Sequence, residues 1–186
     1  MLDAAYLSNQ FLIAMPAMVD GHFARTVTFM CQHNEEGAMG LVVNRTLGMR
    51  LIDLLEQTGL GTELPEVANA PVFFGGPVQT ERGFVLHDAG QYQSTVQLSP
   101  EVSLSTSKDV LEAIARGKGP KRFLVALGYA GWSAGQLEEE IRANAWLNAS
   151  AHSELLWSTP VDRRWQDAVA RTGVDLTRLS SVSGHG

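Results

Sequence analysis

The sequence is poor in cysteine. Cys31 is the only one in 186 residues, so no intrachain disulfide can form, and that usage suits a reducing compartment. Long apolar runs are also lacking. The longest early one, Phe11 to Val19, is interrupted by Pro16 and falls far short of the ~20 residues a membrane-spanning helix needs. The opening MLDAAYLSNQ contains an Asp and no early Lys or Arg, so it lacks the basic start of a secretory signal. A soluble, cytoplasmic protein with no membrane contact is the expectation. Cations are scarce as well: 14 Lys plus Arg stand against 20 Asp plus Glu, a net charge of −6. Nucleic-acid binding depends on neutralising phosphates, so this balance weighs against it. The nearest thing to a basic run, Arg116 to Arg122 (RGKGPKR), reads as a solvated turn. Repeats, low-complexity tracts and long linkers are absent, which leaves a single domain over residues 1–186.

What is present is globular: 45% hydrophobic and 18% charged, in a chain long enough to bury a sizeable core. The first half is rich in strand patterns. Phe11 to Met15 is a short strand ending at Pro16. Thr26 to Gln32 and Met39 to Asn44 form a hairpin around the turn residues Asn34 to Gly37. Leu51, Leu54 and Leu55 have helical spacing, with a stop near Gly59 or Gly61. Pro71 to Phe74 and Gly83 to His87 are strands on either side of Gly75-Gly76-Pro77, a corner where one sheet can cross into another. Thr95 to Leu98 and Val102 to Leu104 make a second hairpin. Ser105 to Ser107 offer an N-cap for a helix buried through Val110, Leu111 and Ile114. Phe123 to Leu127 predicts a buried strand, Gln136 to Trp146 a helix and Leu155 to Trp157 an edge strand. The final helix opens at Pro160, is striped by Val161, Trp165, Ala168 and Val169, and stops at Thr172-Gly173. Strands first and helices interleaved later indicate an α+β protein.

The chemistry on offer is incomplete. G-W-S-A-G, from Gly131 to Gly135, matches the nucleophile elbow of serine hydrolases and sits between strand and helix patterns. Ser133 would need an acid and a histidine after it. Asp162 or Asp175 with His185 supplies the order, but His185 is next to last, and His152 precedes both acids. The simpler role for Ser133 is capping the helix that follows. The glycine turn could instead cradle an anion, yet no P-loop lysine follows, and Glu138, Glu139 and Glu140 would repel a phosphate. Cys31 and His33 are the only close pair of soft metal ligands, alternate on a strand, and lack the further ligands a metal requires. Cys31 itself fits a buried small hydrophobe better than a redox thiol. No metal, cofactor or complete catalytic set is expected, and the protein is read as no enzyme.

Four separated segments carry a resemblance. They are His33-Asn34 through Gly37 to Arg45; Phe74 to Val78 with Arg82 to His87; Thr106 to Leu111; and Gly128 to Trp132 with Gly135 to Glu138, Glu140, Ile141 and Asn144 to Leu147. With Trp165, Gly173 to Asp175 and Gly184-His185, they resemble the bacterial AlgH/YqgE family from about Asn9 to the C-terminus. The ending Gly-His-Gly departs slightly from a Gly-His-Ala pattern. The resemblance implies an α+β fold, with a bent or bifurcated, mostly antiparallel sheet closing into a pseudo-barrel and helices packed outside. It also implies a regulatory role touching alginate-type gene expression, with no catalytic residues to carry over and the Ser133 position left open. The expected function is regulation through a small ligand or protein partner; a Ser133-dependent hydrolase and a direct DNA-binding regulator are the rivals. The residues expected to form the binding surface are His33, Asn34, Asn44, Gly75, Gly76, Arg82, His87, Tyr129, Trp132 and Gln136. They are polar, aromatic or glycine positions at strand ends and loops.

Overall fold

Strand β9, Phe123–Ser133, is the axis of the molecule, and three other strands pair along its length. The computed structural model describes residues 6–16 and 23–174. Its strands are β1 Gln10–Ala14, β2 Val27–Asn34, β3 Gly37–Val42, β4 Thr46–Arg50, β5 Pro71–Phe74, β6 Val78–His87, β7 Thr95–Ser99, β8 Val102–Ser105, β9 and β10 Trp146–Ser150. The helices are α1 Leu51–Gln57, α2 Pro65–Ala68, α3 Lys108–Ala115, α4 Gln136–Arg142, α5 Ser153–Trp157 and α6 Arg164–Arg171, with a 3-10 turn Val161–Arg163 before the last. The sheet runs β10-β1-β2-β3-β9-β6-β8-β7, and β4-β5 branch from β9. All pairings are antiparallel except that of β5 with β9. The result is the expected α+β architecture, a curled and forked antiparallel sheet with helices packed on it.

The fork has a simple cause. Along one edge of β9, β5 pairs with residues 125–127 and β3 with residues 130–133. Gly75, just past β5, donates its N–H to the Leu127 carbonyl and accepts the Val42 N–H, both at 2.8 Å. It thereby hands that edge from one strand to the other. A Cβ on Gly75 would overlap the Gly128 carbonyl oxygen, and a Cβ on Gly128 would overlap that of Gly76. Gly128 also sits at φ 78°, a conformation that side chains disfavour. The glycine corner anticipated at residues 75–77 is therefore a crossing of two backbones.

Side-chain parity along β9 inverts at this point. Leu124 and Ala126 enter one core cluster with Phe29, Leu41, Phe84 and Trp165, whereas Val125 faces a second with Leu51, Leu55, Val85 and Ile114. Past Gly128, Tyr129 packs against the first cluster, and Ala130 and Trp132 turn to a third with Leu12, Met30, Leu137 and Trp146. One strand thus supplies three cores. The second is roofed by α1 and α3, the third by α4, and part of the first by α5 and α6.

Several expectations need correction. The segment GYAGWS is strand, not a strand-to-helix turn, because Gly128 forks the sheet without ending β9. Ser133 does not cap α4; the cap is Gly135 at φ 78°, and Ser133 N–H and Oγ–H both bond the Gln136 side chain. The helix ends at Arg142, where Asn144 turns left-handed at φ 62°, and Trp146 begins β10. Leu155 to Trp157 belong to α5, which puts Leu155 and Leu156 into the same core; alternating strand faces would have parted them. Ser107 holds the cap position of α3, but its hydroxyl bonds Asp109. The strand β4 carries no alternation that would have revealed it.

Gly135 and Gly128 share φ 78°, yet a Cβ on Gly135 would meet nothing within 4 Å. Gly135→Ala should therefore cost only the left-handed penalty, about 1 kcal/mol. Gly128→Ala adds the backbone clash, for a total of about 3 kcal/mol. Urea denaturation of the two variants checks this, and equal losses would remove the crossing as a constraint.

Candidate functional site

The concave side of the curled sheet is only partly roofed. Beyond α5 and α6 it opens into a cleft of about 700 Å³. Gln32, Asn34 and Met39 of the β2–β3 hairpin form one wall, Val96 of β7 and Leu104 of β8 the other, and Phe84, Tyr129 and Gly131 the floor. Such a volume suits a small organic ligand. Val96, on the edge strand, keeps 57% of its surface exposed, one of two large hydrophobic residues so placed among the described residues.

Two bulges aim side chains at this cleft. On β6 the register runs from Val78↔Tyr129 to Gly83↔Leu127, five residues of advance against two on β9. The extra chain, with Gln79 at φ 47°, presents Arg82 to the cleft and Glu81 to a neighbouring pocket of about 250 Å³. On β2 the register slips between Met30 and Gln32. Cys31 remains in the first core and Gln32 lines the cleft on the same side, while His33 is turned to the outer face. That slip parts Cys31 from His33, so the alternate-strand pairing imagined for a metal does not exist. Among the described residues no group of three or more His, Cys, Asp or Glu side chains could hold a metal ion.

Of the expected surface, Asn34, Arg82 and Tyr129 meet in the cleft. Trp132 borders it, but its indole points into the third core and donates to Glu140 Oε1 at 3.0 Å. Trp146 donates to the same oxygen at 2.9 Å, and Gln136 to Glu140 Oε2 at 2.8 Å. His33 is buried, with Leu7 N–H donating to Nδ1 at 2.9 Å and Nε2 3.1 Å from Glu138 Oε1. Partial burial of Glu138 opposes its ionisation, but the His33 hydrogen bond and the charges of His33 and Arg142 prevail and hold its carboxyl below the ordinary value. Asn44 ties two loops together, accepting from Val27 N–H and donating to the Arg25 carbonyl, each at 2.9 Å. Gly75 and Gly76 form the fork. His87 is buried outside the cleft, with Nδ1 3.1 Å from the Ala89 carbonyl and Nε2 2.8 Å from Ser105 Oγ. Six of the ten therefore lie elsewhere.

Sequence reasoning missed Gln32, Met39, Phe84, Val96, Leu104 and Thr106 of the lining. Val96 stands out only in the fold, exposed on an edge strand. Gln32 could not be placed without knowing the bulge. Ser133 lies at the end of β9 with ordinary backbone, and among the described residues no histidine hydrogen-bonds to it. Asp175, Gly184 and His185, invoked for the triad and the resemblance, are outside the described residues, as is His22. No helix is long and apolar enough to cross a membrane, among the described residues.

A forked antiparallel sheet with one open concave cleft and helices on its remaining faces defines the class: an α+β protein of the half-barrel type. The AlgH-like family matches residues 11–177, and the chain belongs to that family, which has no established biochemical function. Similar chains include a UPF0301 protein of Nitrosococcus oceani, 50% identical over 186 residues and the full length of both, and one of Hahella chejuensis, 53% identical over 180 residues and 96% of each. The solution structure of the AlgH protein from Pseudomonas aeruginosa matches with a TM-score of 0.80 and 50% identity, over 97% of this chain and 96% of that one. A crystal structure of a Corynebacterium diphtheriae protein matches with a TM-score of 0.75 at 20% identity, over 94% and 91%, and shares the fold.

Two titratable groups give direct tests. Burial pushes the Cys31 thiol up to about 12, so it stays protonated and inert. A disulfide reagent at pH 8 should label Cys31 only after denaturation, and rapid labelling of folded protein would contradict its placement. Burial lowers the His87 pKa, against the Ala89 hydrogen bond and the Asp88 charge, which raise it. The unfolded chain then binds a proton that the folded one refuses, so this stability is present above the ordinary value of 6.5 and lost as pH falls below it. The urea midpoint should fall between pH 7.5 and 5.5 more steeply for the parent protein than for His87→Gln; parallel slopes would exclude His87.

Proposed function

We propose that this protein is a non-catalytic regulator that receives a small ligand in the concave cleft and passes its effect on gene expression through a protein partner. One observation carries the reading. Polar side chains that the core does not use, Arg82, Asn34 and Gln32, converge with the rim of the first core on a cleft of ligand size. Elsewhere the polar groups singled out in the sequence are committed to one another: His33 to Glu138, Gln136 and Trp132 to Glu140, Asn44 to the backbone. Ser133, the one nucleophile with a motif around it, serves the joint between β9 and α4. The net charge of −6 favours action through a partner over direct contact with DNA.

Gly131 offers a way to fill the cleft without disturbing the core. A Cβ there would meet the Tyr129 ring at 3.4 Å and Val78 at 3.9 Å, ordinary contacts. In a bacterial host lacking the gene, transcript profiles should be restored by the parent protein and by Ser133→Ala. Gly131→Phe, shown by its melting temperature to be folded, should not restore them. Failure of Ser133→Ala, or full restoration by Gly131→Phe, would overturn the reading.

A further inference from the structure

The chemistry of the cleft selects among ligands. Among the described residues Arg82 is the only cationic side chain that lines it, and Glu36, near the hairpin tip, is the only carboxylate. Among the described residues Arg82 has no acidic partner within ion-pair distance; its one polar contact is Gln79 Oε1 at 3.5 Å, the limit of a hydrogen bond. Its guanidinium carbon lies 5.2 Å from the centroid of the Phe84 ring. Stacking of this kind holds the planar group against the floor while its edge N–H groups stay free, a fork matched to the two oxygens of a carboxylate. Phe84 is held in turn by the edge of Tyr129 at 5.8 Å.

Further donors face the same space. The Tyr129 hydroxyl has no hydrogen bond within the described residues. Asn34 Oδ1 accepts the Glu36 N–H at 2.8 Å, which leaves the amide NH2 as its free end. Around these lie Met39, Val96 and Leu104, of which Val96 is 57% exposed, an apolar surface above the buried Phe84. A cleft with one full positive charge, neutral donors beside it and an apolar bed suits one negative charge on an apolar body. A dianion would be under-matched, with Glu36 at the rim and a net charge of −6 behind it.

We infer that the cleft binds a small amphiphilic monocarboxylate, its carboxylate on Arg82 and Tyr129 and its apolar body on Met39, Val96 and Leu104. The inference rests on the reading of the cleft as a ligand site and adds the ligand class. An open cleft with a single charge pair implies dissociation constants of roughly 0.1–1 mM for a compact aromatic acid.

The test is a nitrogen–proton NMR titration of the full chain with 2-naphthoate, decanoate, 2-naphthyl phosphate and 2-naphthalenemethanol. The two carboxylates should shift the signals of Gln32, Val96, Tyr129, Gly131 and the Arg82 side chain. Naphthoate should bind at least tenfold more tightly than the alcohol or the phosphate. Arg82→Gln, an exposed substitution, should erase that preference for the carboxylate over the alcohol. Equal or tighter binding of the alcohol or phosphate in the cleft would overturn the carboxylate assignment and leave the ligand-site reading standing. If no probe shifts the cleft, or if Arg82→Gln keeps the preference, the inference falls; the transcript test with Gly131→Phe then decides the ligand-site reading separately.

Discussion

Everything in this fold passes through the contact of Gly75 and Gly76 with Gly128. Two backbones meet there more closely than any side chain would allow, and the edge of β9 changes partner between Leu127 and Ala130. Because Gly128 is left-handed, the strand resumes with its faces exchanged. The inversion lets one strand feed three cores and turns Tyr129 to the concave side, with Trp132 on the opposite face. The cleft is a product of the same event, since the bulge carrying Arg82 on β6 lies opposite Gly128. Architecture and candidate site share a cause.

Polar groups divide into those that hold the frame and those that it leaves over. Glu140 gathers two indole N–H groups and one amide on a single carboxylate, tying β9, α4 and β10 together. Charge-assisted bonds in a partly buried setting are the stronger kind. Arg164 has an equivalent post. It donates to the carbonyls of Val43 at 2.6 Å and Thr159 at 3.0 Å beneath the Phe73 ring, and burial lowers its pKa to about 10. Arg82 differs from both because, within the described residues, its one polar contact is Gln79 Oε1 at 3.5 Å, where the others make short hydrogen bonds.

The strands of the first half other than β4 were legible because their apolar runs end at turn residues, and so was α6 through Trp165, Ala168 and Val169, although Val161 of the expected stripe lies in the 3-10 turn before it. The resemblance supplied the forked sheet, which no local pattern encodes. Three features stayed hidden for physical reasons. Gly128 and Gly131 read as a turn because a glycine that permits a crossing looks, in one dimension, like one that permits a reversal. Ile141 and Ala145 keep helical spacing past the true end of α4, and Asn144 alone signals the stop. Leu155-Leu156-Trp157 is too short to show a period. For the site, polar residue types were a poor guide. The bulges decide which side each side chain faces, so His33 is buried while its neighbours Gln32 and Asn34 line the cleft.

The pairing of β1 sets an order in time as well as in space. One edge of β1 is taken by β2, whose paired residues Val27 to Phe29 follow in the same early stretch of chain, whereas the other waits for β10, and Trp165 of α6 donates to the Ala14 carbonyl across 151 positions of sequence. During synthesis the segment FLIA therefore leaves the ribosome long before its second neighbour exists. An apolar strand with an open edge is the kind of surface that nascent-chain chaperones shield. The last quarter of the chain thus closes the first, and a ribosome that stalls before β10 releases a product with an adhesive border.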